Sequence, residues 1–282
     1  MTIRTVRQPV FFLILVACLA SLPAWCRAPR ELQDQLNSAF KGKTGLLRNF
    51  YSGSDLHYDQ NGVLQDAEAT RGPWTLAGVE ITGVKVTAQG VEIAGNRLGV
   101  LYTDGKQSFV RLGKLKIHVE ETISSVDTLA DIDLMLGKIL IKPEDLLPVV
   151  PVYWRSYLTG TDSKSRSAAY QASVEENGNP TSKVANAPTT DAPATKTTPP
   201  RLLRSSDPQY NGEAASHHVV GVAVLSVVID VTGAAISISI VRPLGMGLDE
   251  QTVLAVGQWK FLPATRNGQP VQALIAIEVA FK

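Results

Sequence analysis

The chain has 282 residues, 44% of them hydrophobic and 19% charged, with a formal net charge of +1. That length has room for two small domains, and the near-neutral balance excludes a general attraction to nucleic acid or to an anionic membrane surface. Both cysteines, Cys18 and Cys26, lie close to the N-terminus, so the remainder has neither a disulfide framework nor a Cys-based metal site.

Residues 1–28 predict export. Arg4 and Arg7 precede Pro9 and the apolar run 10–20, and small residues with Pro23 follow. A charged start, an apolar core of this length and nearby small residues make a secretory signal. Two other readings stay open: an uncleaved inner-membrane anchor, since 9–25 is at the short limit for a spanning helix, and a lipidated Cys26. All three place the rest of the chain outside the cytoplasm, in the periplasm.

Residues 30–158 predict a first, antiparallel β-rich domain with a helix at its C-terminal end. Leu32, Leu36 and Phe40 are spaced as one face of a short helix. Runs 56–60 and 63–65 flank Asn61-Gly62, a strong hairpin signal. Val79, Ile81, Val84, Val86, Val91, Ile93, Leu98, Val100 and Tyr102 mark strands with breaks near Gly90 and Gly95. Runs 109–112 and 115–119 read as two more strands, with Leu115, Ile117 and Val119 on one side and Lys114, Lys116 and His118 on the other. Six or seven short strands would make a meander or small barrel. Ser124 or Ser125 can cap a helix over 126–138, with Leu129, Ile132, Met135 and Leu136 as its apolar face. Pro143, Pro148 and Pro151 then interrupt the chain. The aromatic segment 146–158, with Tyr153, Trp154 and Tyr157, either packs back over the β-domain or forms an exposed docking patch.

Residues 159–206 predict a disordered Ser/Thr/Ala/Pro linker, because such a composition buries too little apolar surface to offset its ordering entropy. Its relaxed span is about 35–40 Å, which would let the terminal domain sample a wide volume.

The last stretch, 207–282, predicts a β-β-α-β unit, making the chain α+β overall. Run 219–229 is nearly all apolar and β-branched, a strand at a sheet centre. Gly233 in Asp-Val-Thr-Gly turns it into a second strand, in which Ile236, Ile238 and Ile240 alternate with Ser237 and Ser239. Leu248, Thr252, Val253, Val256 and Trp259 then follow helical spacing after Asp249, and Gly257 ends that helix by Trp259. Asn267-Gly268 is a turn, and Ile275, Ile277, Val279 and Phe281 alternate along a final strand.

The order Gly221, Gly233, Leu248-Asp249, Trp259, Phe261, Pro263, Gly268, Pro270 and Val271, ending in Phe281, with Tyr210 and Ala214 upstream, resembles the C-terminal domain of the TonB family. Asn211 departs from the family's Tyr-Pro pair. The resemblance implies a β-β-α-β domain whose last strand, within 271–279, offers a free edge to a short extended peptide of an outer-membrane transporter. Unpaired backbone groups would supply the hydrogen bonds, and the outward set Gln272, Leu274, Ala276 and Glu278 the selectivity. Ile275, Ile277, Val279 and Phe281 are then core. Coupling to an inner-membrane proton-driven motor complex follows from the resemblance if the N-terminus stays anchored. Known transducers carry a His in the anchor, whereas the first His here is His57, and a folded domain precedes the linker.

Catalytic motifs are missing: there is no G-x-S-x-G elbow, phosphate loop or H-E-x-x-H. His217-His218 are adjacent, so in a strand they point to opposite faces and chelate poorly. Asp131 and Asp133 do not converge on a helix. The expectation is a non-enzymatic periplasmic docking protein that needs no cofactor. The alternative is a secreted ligand-binding or envelope-scaffold protein using the same fold without energy transduction.

Overall fold

The computed structural model of the chain describes residues 30–66, 69–87, 89–120, 128–160, 183–184 and 197–282. The expected export segment, Ser124, Ser125 and most of the expected linker lie outside these residues. No helix among the described residues is long and apolar enough to cross a membrane.

The first domain opens with α1 (Arg30–Phe40), which buries Leu36 and Phe40 as its periodicity requires. It continues through β1 (Thr44–Leu47), β2 (Asp55–Tyr58), β3 (Gly78–Thr87), β4 (Gly90–Thr103), β5 (Lys106–Glu120), α2 (Leu129–Ile139), β6 (Leu140–Ile141) and α3 (Val152–Thr159). Its sheet has six strands in the order β2-β5-β4-β3-β1-β6. Three long strands dominate where short ones were expected. The break expected near Gly90 is there, with Gly90 opening β4 opposite Thr87, but Gly95 lies inside an unbroken β4. A Cβ at Gly95 would sit 2.8 Å from the Glu80 carbonyl oxygen. That glycine marks a close approach of backbones rather than a strand end. Runs 109–112 and 115–119 are likewise one strand, β5, carried past a register shift between Arg97 and Leu98 of its partner β4.

The sheet is antiparallel except at one edge. The Asn61-Gly62 turn forms, with Asp59 Oδ1 accepting from the backbone N–H of Asn61 at 2.9 Å and of Val63 at 2.8 Å. A short second arm follows: the Asp59 N–H donates to the Val63 carbonyl at 2.9 Å, the Gln65 N–H donates to the His57 carbonyl at 2.8 Å, and Tyr58 bridges Leu64. β2 also pairs parallel with β5, a correction to the expected wholly antiparallel domain. The helix expected over 126–138 starts at Leu129. Its cap is Thr128, which accepts from the Asp131 N–H while the Asp131 carboxylate accepts from the Thr128 N–H. This reciprocal capping box gives Asp131 its role. Ile132, Met135, Leu136 and Ile139 of α2 close the core beneath the sheet.

Further on, β7 (Lys183–Val184), β8 (Thr197–Thr198) and β9 (Arg201–Arg204) fall within the expected linker. α4 (Gly212–Ser216), β10 (Gly221–Ile229), β11 (Ala235–Arg242), α5 (Leu248–Gln258), β12 (Lys260–Leu262), β13 (Ala264–Arg266), β14 (Gln269–Val271) and β15 (Ala273–Phe281) complete the chain. The expected β-β-α-β frame is β10, β11, α5 and β15. The second main sheet has the order β11-β10-β15-β7. Two small ladders form separate sheets: β9 pairs with β12, and β8 joins the β13–β14 hairpin. The terminal unit therefore draws on residues upstream of 207. The helix α5 stops at Gln258, directly after Gly257.

The terminal unit does not stand apart from the first domain. One continuous buried cluster runs from Leu36 in α1 to Phe281 in β15. Instead of roaming on a linker, the terminal domain lies docked on β4 and α3.

Candidate docking edge and the seam between the domains

A three-stranded core sheet leaves two edges, and the chain treats them differently. α3 packs against β11. The outer edge of β15 carries only β7, which pairs antiparallel with it at Ile275 and Ala276. Two residues of a nine-residue strand are thus covered by another strand among the described residues. Backbone polar groups at such an edge favour an added strand.

The alternation of β15 sorts its side chains as expected. Ile275, Ile277, Val279 and Phe281 are buried. Gln272 and Glu278 are exposed, Leu274 is 42% exposed, and Ala276 is half-buried. Gln272 lies just before the strand; the other three share its outward face. The strand begins at Ala273, two residues later than the start predicted for the pairing segment.

The other singled-out residues hold this strand in place. Gly221 opens β10 opposite Phe281, and the Tyr210 ring packs 5.8 Å from the Phe281 ring while its hydroxyl donates to the Val219 carbonyl. Gly233 sits in the β10–β11 turn, where its carbonyl accepts from the Phe261 N–H at 3.0 Å. Trp259 donates from Nε1 to the Ser206 carbonyl at 2.9 Å and lies 6.4 Å from the buried Phe261 ring. Pro263 separates β12 from β13, Gly268 turns the β13–β14 hairpin, and Pro270 pairs with Thr265. Asn211, the departure from the Tyr-Pro pair, has its own work: Oδ1 accepts from the Ala214 N–H, and Nδ2 donates to the Met246 carbonyl at 2.7 Å.

Leu248 and Asp249 belong to a second feature that the sequence reading did not anticipate. The loop 244–247, just before α5, inserts against the first domain. The Met246 N–H donates to the Val100 carbonyl at 2.8 Å, and the Tyr102 N–H donates to the Leu244 carbonyl at 2.9 Å. Leu101 and Gly245 form an antiparallel bridge between the two sheets. Gly245 has φ +82°, and a Cβ there would fall 2.1 Å from the Val100 oxygen. Only glycine supplies both the left-handed backbone and the space. Gly247 donates to the buried Thr75 hydroxyl at 2.9 Å, and Met246 and Leu248 are wholly buried.

Two acids complete the seam. Asp249 is fully buried, and its carboxylate accepts from the N–H groups of Leu244 at 3.0 Å and Gly245 at 2.6 Å. It orders the inserted loop. Burial pushes it up to about 7, against the pull of those backbone donors. Glu250 accepts from Trp154 Nε1 at 2.9 Å through one oxygen, while the other is buried without a partner. Burial first, then the neighbouring Asp249 charge, pushes Glu250 up to about 8. A protonated Glu250 is therefore the form this seam accommodates at neutral pH. Trp154 makes edge contacts with Trp74 at 5.0 Å and Tyr157 at 6.1 Å. Of the two readings of segment 146–158, packing back over the β-domain is the one observed for Trp154, and α3 reaches the terminal domain as well.

Among the described residues, a surface cleft of about 340 Å³ has a lining that includes Tyr51, Pro73, Leu76, Arg97 and Glu213. Its guanidinium is committed: Arg97 donates to the carbonyls of Tyr51 at 3.1 Å, Leu76 at 3.3 Å and Gly53. It ties loops of the first domain together and does not call for an anionic ligand. His217 turns back on its own helix end, with Nδ1 3.0 Å from both the Ser216 hydroxyl and the Glu213 carbonyl. The pair with His218 forms no convergent ligand set among the described residues.

Residues 206–282 match the family model described as Gram-negative bacterial TonB protein C-terminal. The terminal unit thus matches the TonB-type C-terminal domain, a family of non-enzymatic protein-interaction domains, and the match supports a role in the cell envelope. No curated protein matches the chain.

Proposed function

We propose that the terminal domain captures an extended peptide of an outer-membrane transporter by strand addition to the outer edge of β15. One observation carries this reading: β7 of the same chain already lies antiparallel on that edge at Ile275 and Ala276. The edge therefore has the geometry to accept an extended segment, and most of β15 has no other strand beside it on that side among the described residues. Main-chain hydrogen bonds would supply affinity, and the outward set Gln272, Leu274, Ala276 and Glu278 would read the partner's side chains.

The test places a photo-crosslinking residue at Gln272 or Glu278 in the full chain, in cells, with exposed Ile236 of β11 as control. Adducts with an outer-membrane transporter from the β15 positions and none from Ile236 support the proposal. Adducts equal at all three positions, or absent from Gln272 and Glu278, overturn it.

A second reading, a strand-docking module on an envelope scaffold without energy transduction, gains support from the seam. A terminal domain mounted on β4 and α3 does not reach far by itself. Coupling to an inner-membrane proton-driven motor complex would need an anchored N-terminus. Mass spectrometry of membrane and soluble fractions separates the two. A soluble chain beginning near residues 24–28 excludes motor coupling, and an intact membrane-bound chain supports it.

A further inference from the structure

The parallel pairing of β2 with β5 produces a cluster outside the docking edge and the seam. In that register His57 stands opposite His118, and Asp55 opposite Lys116. Strand alternation puts Leu56 and Tyr58 of β2, and Ile117 and Val119 of β5, into the core. Asp55, His57 and His118 are left together on the other face. The imidazoles stack with centroids 4.7 Å apart and planes 8° from parallel. His118 Nε2 lies 3.0 Å from Asp55 Oδ1. His57 Nδ1 lies 3.0 Å from Asp66 Oδ1, and the other Asp66 oxygen accepts from the His57 backbone N–H at 2.7 Å.

We propose that Asp55, His57 and His118 bind a divalent transition-metal ion of the zinc class. One donor atom from each lies within 4.8 Å of the other two. Ligands of a tetrahedral zinc stand roughly 3.4 Å apart, from metal–nitrogen and metal–oxygen bonds of about 2.0–2.1 Å. Closing the set needs side-chain rotation, with no change in strand register. Two imidazoles with one carboxylate favour zinc, nickel or copper over magnesium or calcium, which prefer all-oxygen sites. Asp66 fits the supporting role. By holding His57 Nδ1 it leaves Nε2 to face an ion, the usual pairing of a metal-bound histidine with an outer carboxylate. The metal would replace the proton shared by His118 Nε2 and Asp55 Oδ1, and water would complete its coordination. His57 and Asp55 are half-exposed, so the ion has a path in.

The experiment titrates the metal-stripped full chain, with Cys18→Ser and Cys26→Ser to remove competing thiols, with Zn²⁺ by calorimetry and with Co²⁺ by visible absorption. One ion per chain, with a dissociation constant on the order of micromolar or tighter, is expected. His57→Gln or His118→Gln should each weaken binding at least tenfold with the circular dichroism spectrum unchanged. His217→Gln with His218→Gln should leave it as it was. No saturable binding, or equal binding by a folded His57→Gln/His118→Gln chain, overturns the proposal and leaves the cluster as a stacked, hydrogen-bonded pair.

Discussion

Replacing Glu250 by Gln should flatten the pH dependence of stability. In the folded chain Glu250 is lifted from its ordinary 4.5 to about 8, first by burial and then by Asp249. Between those values the folded protein holds a proton that the unfolded chain releases. Its contribution is therefore fully present below about pH 4.5 and is lost as pH rises, levelling off above about pH 8. The slope approaches about 1.4 kcal/mol per pH unit, which integrates to a loss on the order of 4 kcal/mol between pH 5 and pH 9. Gln keeps an oxygen to accept from Trp154 Nε1 and carries no titrating proton. Its stability at pH 5 should lie within about 1 kcal/mol of the parent. Asp249 adds its own downward slope to both proteins, so the difference between the two curves isolates Glu250. Urea midpoints at five pH values from 5 to 9 measure it. If the two curves run parallel, the buried, protonated Glu250 is refuted.

Two further changes test the seam and the edge. Gly245→Ala adds a methyl 2.1 Å from the Val100 oxygen at φ +82°, a left-handed backbone that alone costs roughly 1–2 kcal/mol. The Tyr102 and Met246 amides, which cross the seam, should exchange hydrogen at least tenfold faster, while β10 amides such as Leu225 keep their protection; unchanged exchange at Tyr102 and Met246 would count against the seam. Replacing both Lys183 and Val184 by Pro removes the N–H groups of β7 and should strengthen crosslinking of a transporter peptide from Gln272 severalfold. Unchanged or weaker adducts would mean that β7 and the partner do not share an edge.

What the sequence announced was local. The Ser/Ile alternation of β11, the stop at Gly257, the Asn267-Gly268 turn and the apolar face of α2 each follow from residues within one or two turns of each other. Their signals survive folding because no distant contact competes with them. The outward set on β15 was legible for the same reason, since strand period alone sorts its faces. What was missed depends on distant pairing. His57 and His118 are 61 positions apart and meet only because β2, besides its own hairpin arm, pairs in parallel with the distant β5. Asp249 and Glu250 look like ordinary first-turn acids, whose place at a helix start is explained by the helix dipole. Their own residue types do not say that another domain will cover them. Gly95 was read as a strand end because glycine weakens strands, yet it serves the close approach of the Glu80 carbonyl. A hint lay in residues 244–247, where two glycines flank a methionine between Leu244 and Leu248, and it did not name its partner strand.

The aromatic packing at the seam has a practical consequence. The chain has four tryptophans, and two of them, Trp74 and Trp154, are almost completely shielded from water beside the inserted loop. Trp154 is also hydrogen-bonded to Glu250 across the junction. Any event that separates the two domains must wet that indole and break its bond to the carboxyl group. Its emission would then move to longer wavelength, while Trp259, half-buried at the C-terminal end of α5 and bonded to the Ser206 carbonyl, keeps its surroundings. The molecule thus carries an intrinsic optical reporter of its own assembly, readable without a label while a peptide, a metal ion or a change of pH is applied.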